Sequence, residues 1–511
     1  MFQSIKNFNL ASHSAPKGAT TNNWNWEKAR HLLFRAGFGG KQNEIETTLG
    51  KGLPGALDHL FSGPSRPLPA PKWLEEDKKI NPREVRQMGD DDKKMLQMRN
   101  RQHTAELQGG WIQFMMSAPA PADMLHEKMV FFWHGHFATS EQKVKATPFI
   151  YDQLKLFHQH ALGNFGDLLH AIIRDPAMLR YLDNDQNQQG KPNENLAREL
   201  MELFSLGTGN YTEQDIREGA RALTGYSLEP YQFRFRRFLH DSGSKTILGR
   251  TGNFNGDDFV NLILEQPACA EFITRKLWVY FASENPPDDI IKTLANRFRE
   301  SKYDIKILLR EIFGHAEFYS AEAMGTQIKS PIQLVVGAAR TLGLAVNNFE
   351  FYGRTLLMMG QVPYLPPNVK GWPGGRAWID TSRLVTRYTF AEIIAEGKIP
   401  EEIDPRMQGD MDLRDPGMTP EERRLKLKGR KMLPPRNLRV DFDAEKFAGN
   451  KTSAAEIIDA ITSVLLAVAP AKDERQNLIA NLEKGLKENP REEALQRAVG
   501  DVMLLPAYQL C

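Results

Sequence analysis

The chain has almost no cysteine. Cys269 and Cys511 are the only two in 511 residues, which excludes a disulfide framework and any site built on several thiolates. Cys269, inside EQPACAEF, reads as a small buried hydrophobe. Long apolar runs are missing as well; none approaches the roughly 20 residues that span a bilayer. There is no excess of charge of one sign. With 66 basic and 64 acidic residues the net charge is +2, so no general pull on nucleic acid or anionic lipid is expected. The first twenty residues, MFQSIKNFNLASHSAPKGAT, lack an apolar stretch and a small-residue cleavage site. No secretory signal is legible in them, and a cytoplasmic location is the default expectation. G-x-S-x-G, Walker A, G-x-G-x-x-G and H-E-x-x-H are all absent, which removes sequence support for the commonest named chemistries.

What is present is helical periodicity along most of the chain. It predicts a mainly α, multi-helix globular body. Helices are expected at 26–36, 122–134, 147–162, 164–174, 193–206, 213–224, 256–265, 268–283, 288–300, 304–313, 330–343 and 380–396, then at 453–469, 473–488 and 491–505. A long helix before them ends near Ser117, closed by Ala118-Pro-Ala-Pro121. The organisation expected is a flexible segment at 1–23, a main helical domain at 24–400 and a charged exposed segment at 401–451. A C-terminal helical region at 452–511 packs on the main domain. The β signal is confined to 231–249. Tyr231-Gln-Phe-Arg-Phe-Arg236 alternates at period two, and after the turn at His240-Asp-Ser-Gly-Ser244 comes Lys245-Thr-Ile-Leu-Gly249. One small hairpin inserted in the helical body is the expectation.

Six of the twelve histidines lie between residues 126 and 170, where an even spread would place about one. Two of them sit among aromatics in Phe131-Phe132-Trp133-His134-Gly135-His136-Phe137. If the chain is extended at Gly135, His134 and His136 point to one side, and two such imidazoles can chelate a divalent metal. On a helix, His126, Val130 and His134 share a face. The other reading is an aromatic core whose imidazoles are satisfied by backbone or carboxylate partners. Both stand. His158 and His160, two apart on an expected helix, face nearly opposite ways and cannot both serve one site.

The sharpest helix is Pro192-Asn-Glu-Asn-Leu-Ala-Arg-Glu-Leu-Met-Glu-Leu-Phe204. Asn193 can cap it. At 100° per residue, Asn195, Arg198, Glu199 and Glu202 share one face, and Leu196, Leu200, Met201, Leu203 and Phe204 the other. Glu199 and Glu202 could offer two carboxylates to one metal; they could equally belong to a salt-bridged surface. His240 and Asp241 are adjacent at the hairpin turn, where they could orient each other or form a plain Asx turn. The Pro/Gly-rich loop from Pro363 to Trp378 cannot be regular helix. Its tryptophans are packing plugs or a platform for a ring-shaped ligand.

In order along the chain, HLLFRAGFG (31–39), MVFFWHGHFATS (129–140), YLDN (181–184), PNENLARELMELFSLG (192–207), YTEQDIREGARALTGY (211–226), HDSGSKTILG (240–249) and PPNVKGWPGG (366–375) together resemble a large bacterial family. It is the one catalogued as a domain of unknown function, number eighteen hundred. The resemblance spans roughly residues 24 to 511 and assigns these motifs no roles. It does imply a sulfatase-like partner and a periplasmic location, since many relatives are exported and often encoded beside a sulfatase-like family.

Two functional expectations follow. The first is a metal-dependent hydrolase with a divalent ion on His134, His136 and Glu199. Glu199 or Glu202 would act as base toward metal-bound water, and His240 or Asp241 would supply acid/base groups. Lys245, Trp372, Arg376 and Trp378 would face the substrate. The second is a non-catalytic helical scaffold or binding protein acting with a partner. A haem oxidoreductase lacks its C-x-x-C-H attachment motif.

Overall fold

Capping side chains start the helices where the apolar periodicity begins. In this computed structural model, which describes residues 24–63, 66–80, 85, 87–344, 349–397 and 442–511, Asn25 accepts from the Lys28 amide at 3.0 Å and opens α1 (Trp26–Ala36). Gly89 precedes α2 (Asp90–Met116). Proline at the first turn starts α3 (Pro121–His136) and α4 (Thr147–His160), where its missing N–H is no loss. The carboxylate helix is α5 (Asn195–Glu202). Thr212 and Asp215 form a reciprocal capping box at the start of α6 (Glu213–Ala222). Then come α7 (Pro267–Phe281), α8 (Pro331–Leu342), α9 (Thr381–Glu396), α10 (Ala454–Leu465) and α11 (Arg491–Met503). Further helices lie between these, and the chain is mainly α as expected. The expected segment 1–23 and residues 401–441 of the charged segment lie outside the described residues.

The single expected hairpin is two. β1 (Tyr226–Glu229) pairs with β2 (Gln232–Phe235), and β3 (Lys245–Ile247) pairs with β4 (Arg250–Gly252). Each strand takes its nearest neighbour across a two-residue turn. At the second turn Leu248 and Gly249 have φ of 48° and 79°, both positive, as in the mirror-image turns that match strand twist. Residues 231–236 and 245–249 therefore do not pair with each other.

One continuous apolar cluster runs from Ala29 to Tyr508. The C-terminal helices are part of it. Trp26 Nε1 donates to the Ser463 carbonyl at 2.9 Å, and Arg30 donates to the carbonyls of Ser463 and Ala467 at 2.7 and 2.8 Å. α11 lies on α9 at Gly500, where Ala395 leaves no room for a side chain.

At the centre is α3. Every residue from Met124 to His134 is buried, so this helix has no solvent face. It nevertheless carries His126, Glu127, Lys128, His134 and His136. Buried polar groups need partners, and how each of these five is satisfied defines the site.

Candidate functional site

The extended backbone expected at Gly135 is helix instead; α3 runs through to His136. Gly135 serves close packing. Gly371, with φ 76°, lies so near that a Cβ on it would collide with the Gly135 carbonyl, and the Trp372 ring covers Gly135 itself. On a helix, residues two apart point roughly 200° apart, so His134 and His136 enter separate networks. His134 Nε2 accepts the Tyr364 N–H at 2.9 Å, which places the ring proton on Nδ1. Trp111, Phe131, Tyr364 and Trp372 wall the ring, and burial brings its pKa down to about 3. His136 donates from Nε2 to the Phe204 carbonyl at 3.0 Å, and its Nδ1 faces Lys276 Nζ at 3.3 Å. Burial, then the Lys276 charge, hold His136 well below the usual imidazole range. Lys128, one turn before Phe132, has carbonyl and amide partners rather than a carboxylate. It donates to Gly37 O at 2.7 Å, Phe34 O at 3.3 Å and Gln333 Oε1 at 3.4 Å. Burial pulls it to about 7.

The remaining pair, His126 and Glu127, meets His158 of α4. Among the described residues, these three form the one group of at least three His, Cys, Asp or Glu side chains whose donor atoms all lie within 4.8 Å of one another. All three are buried. Three helices build the group. α2 supplies Trp111, whose Nε1–H donates to Glu127 Oε2 at 3.0 Å. α3 supplies His126 and Glu127. α4 supplies His158 and its carbonyl, to which His126 Nε2 bonds at 2.9 Å.

That last bond fixes a tautomer. A carbonyl only accepts, so His126 Nε2 carries a proton, and in the neutral ring Nδ1 is a lone pair. Nδ1 lies 3.6 Å from Glu127 Oε1, and His158 Nδ1 lies 3.6 Å from the same oxygen. These separations are too long for hydrogen bonds. Both ring nitrogens of His158 are buried without a hydrogen-bond partner. Burial lowers His158 to about 4, opposed by the Glu127 charge, so its ring is neutral at pH 7 and can offer a lone pair. Three side chains of metal-ligating type thus converge on one point, with no hydrogen bond among their facing atoms. For zinc bonds of ~2.0–2.1 Å, a tetrahedron has edges of ~3.4 Å, close to the two 3.6 Å separations.

Glu202, His240, Asp241 and Lys245, by contrast, have structural partners. Glu199 and Glu202 are half-buried on α5. Burial and the Glu202 charge raise the Glu199 pKa, and Lys370 opposes them. Glu202 accepts from the Tyr211 hydroxyl at 3.0 Å. Of the expected apolar face, Leu196, Leu200, Met201 and Phe204 are fully buried and Leu203 is half-buried. Arg198 pairs with Glu194 at 3.2 Å and with Glu213 at 2.8 Å. At the turn, Asp241 is bound by Arg221 at 2.8 Å and accepts from the Gly243 N–H at 2.9 Å. His240 Nδ1 donates to the Thr224 carbonyl at 2.9 Å. Lys245 is buried, with Nζ on the carbonyls of Asp241 at 2.5 Å and Gly243 at 3.0 Å. These bonds hold the turn closed. In the Trp-Gly loop, Trp372 stacks on Phe131 at 5.7 Å, Trp378 is buried and Arg376 is exposed.

Glu127 escaped the sequence reading, and His126 entered it only as a neighbour of His134. The histidine surplus at 126–170 marked the right region. The adjacent His126-Glu127 pair was the further signal, but its partner His158 lies 31 residues beyond Glu127, on another helix, where no local spacing motif reaches.

No curated protein and no solved structure matches the chain. Residues 31–510 match the family described as "Protein of unknown function (DUF1800)", and the chain belongs to that family.

Proposed function

We propose that this is a divalent-metal protein whose ion is held by His126 Nδ1, Glu127 Oε1 and His158 Nδ1, and that the metal-dependent chemistry expected from its histidines and carboxylates resides there. The observation that carries the proposal is the convergence of two imidazole nitrogens and a carboxylate oxygen on one buried point. Two imidazoles and a carboxylate are the donor set of hydrolytic zinc centres, which keep a fourth position for water. The surroundings suit the role. Trp111 orients the carboxylate and the His158 carbonyl orients the His126 ring, the outer contacts that metal-ligating groups use. A hydrolase is therefore the activity to test first. The scaffold reading rests on a different observation, the structural engagement of Asp241, Lys245 and Glu202. A sulfatase-like partner and export are separate proposals that rest on the family resemblance alone.

The experiment is elemental analysis of untagged protein after incubation with zinc and desalting. About one equivalent of metal is expected in the wild type and in His134→Ala, and less than a tenth in Glu127→Ala and His158→Ala. Wild type without metal, or Glu127→Ala with its full complement, overturns the proposal. If the metal is present but the loaded protein cleaves no ester, phosphoester or peptide, the metal serves the scaffold reading.

A further inference from the structure

The sequence motifs FWHGHF and PNENLARELMELF meet at a residue neither contains. Lys276, half-buried on α7, reaches the C-terminal end of α5 and the last residue of α3. Its Nζ lies 3.1 Å from the Leu203 carbonyl and 3.3 Å from His136 Nδ1. The tautomer of His136 is settled by its other nitrogen. Nε2 donates to the Phe204 carbonyl at 3.0 Å, so Nδ1 is an acceptor. Lys276 therefore faces two acceptors and no carboxylate among its hydrogen-bond partners. Phe272 lies beneath the amine, 4.8 Å from Nζ to the ring centre. Burial brings this lysine down to about 8.

A neutral amine has two N–H bonds and one lone pair. In the deprotonated fraction the two N–H bonds can meet Leu203 O and His136 Nδ1, and the lone pair is left over. An amine, an imidazole beside it and a backbone carbonyl fixing that imidazole repeat the nucleophile, base and orienting group of covalent catalysis. We propose that Lys276 is a nucleophile that forms a Schiff base with a small aldehyde or ketone, with His136 as the residue that positions it. Nζ attacks the carbonyl carbon and forms the C–N bond, and one amine proton passes to the carbonyl oxygen to give a carbinolamine. The second amine proton and the hydroxyl leave as water, and the C=N bond forms. No oxidant or reductant is consumed. Carbonyl compounds fit better than acyl donors, because an amide on lysine would not turn over whereas an imine hydrolyses.

A purely structural lysine would cap the carbonyls at the end of α5. The test must separate the two. Intact protein is treated at pH 7 with propanal and sodium cyanoborohydride, and propylated lysines are mapped by peptide mass spectrometry over time. A lysine at about 8 has a far larger free-amine fraction than one near 10.4, so Lys276 should be labelled at least about tenfold faster than exposed Lys370 or Lys143. Lys276→Arg keeps the charge and the cap; it should fold with an unchanged melting temperature and lose the fast phase. His136→Asn, which keeps an acceptor at the Nδ1 position, should retain most of the rate, and His136→Ala should not. Labelling of Lys276 no faster than that of exposed lysines, in folded wild type, overturns the proposal.

Discussion

Two histidine pairs lie in the same buried region, one on a single helix and one shared between α3 and α4. His134 and His136 are neighbours in sequence, yet each has a separate engagement: Tyr364 N–H for one, Phe204 O and Lys276 for the other. His126 and His158 are remote in sequence, yet each faces one carboxylate oxygen from 3.6 Å with no hydrogen bond made. Proximity along the chain says little about a shared site when the backbone is helical, because the rings fan out around the axis. A site is marked by unspent hydrogen-bonding capacity at a convergence point. Histidines of the first kind hold a core together, and those of the second kind are the ligands proposed above.

Several substitutions would break or sharpen that contrast. His158→Ala has the largest expected effect. Loss of one of three ligands should weaken zinc binding by at least about 100-fold, since even outer contacts are worth 10–100-fold; competition titration with a chromophoric chelator reads it. His134→Ala should do the reverse. It opens a hole among four aromatic rings and strands the Tyr364 N–H, for a loss of ~2–4 kcal/mol in chemical denaturation, with zinc affinity unchanged. If both variants lose zinc equally, the contrast is wrong. Trp111→Phe keeps the ring and deletes the donor to Glu127 Oε2, so zinc binding should fall by about 10-fold or more.

Acid offers a further handle. His158 and His134 have folded pKa values of about 4 and about 3, depressed from 6.5. The stability they contribute is complete above pH 6.5 and is lost as pH falls towards those values, because the unfolded chain binds the protons first. The melting temperature of metal-free protein should fall between pH 6.5 and 4, and His158→Asn should flatten that slope. A slope unaffected by the substitution would show that His158 is not buried in neutral form. The smallest expected effect is Glu202→Gln, which keeps an acceptor for Tyr211 on a half-exposed site and should change stability by no more than ~0.5 kcal/mol.

The helices were legible because their caps and apolar spacing agree. The Thr212–Asp215 box and the buried row Leu196, Leu200, Met201 on α5 stand where the sequence places them. Gly135 was misleading. A glycine beside two histidines suggests a break, but its freedom is used for contact with Gly371, a partner 236 residues away that no local pattern contains. The hairpin failed for a similar reason. Alternation over 231–236 identifies an extended stretch without naming its partner, and Leu248 at positive φ is not a residue that announces a tight turn. The triad was half visible. The surplus of histidines is a property of composition, whereas the meeting of Glu127 with His158 depends on how α3 and α4 are packed.

The absence of any solvent face on α3 has a consequence for hydrogen exchange. A helix covered on all sides has no low-energy route for its amides to open singly, so those of Val130 to Trp133 exchange only when the whole core unfolds. An ion bound at His126, Glu127 and His158 stabilises the folded state alone. It will therefore slow exchange at Trp133, two turns from the nearest ligand on that helix, by the same factor as at Glu127 itself.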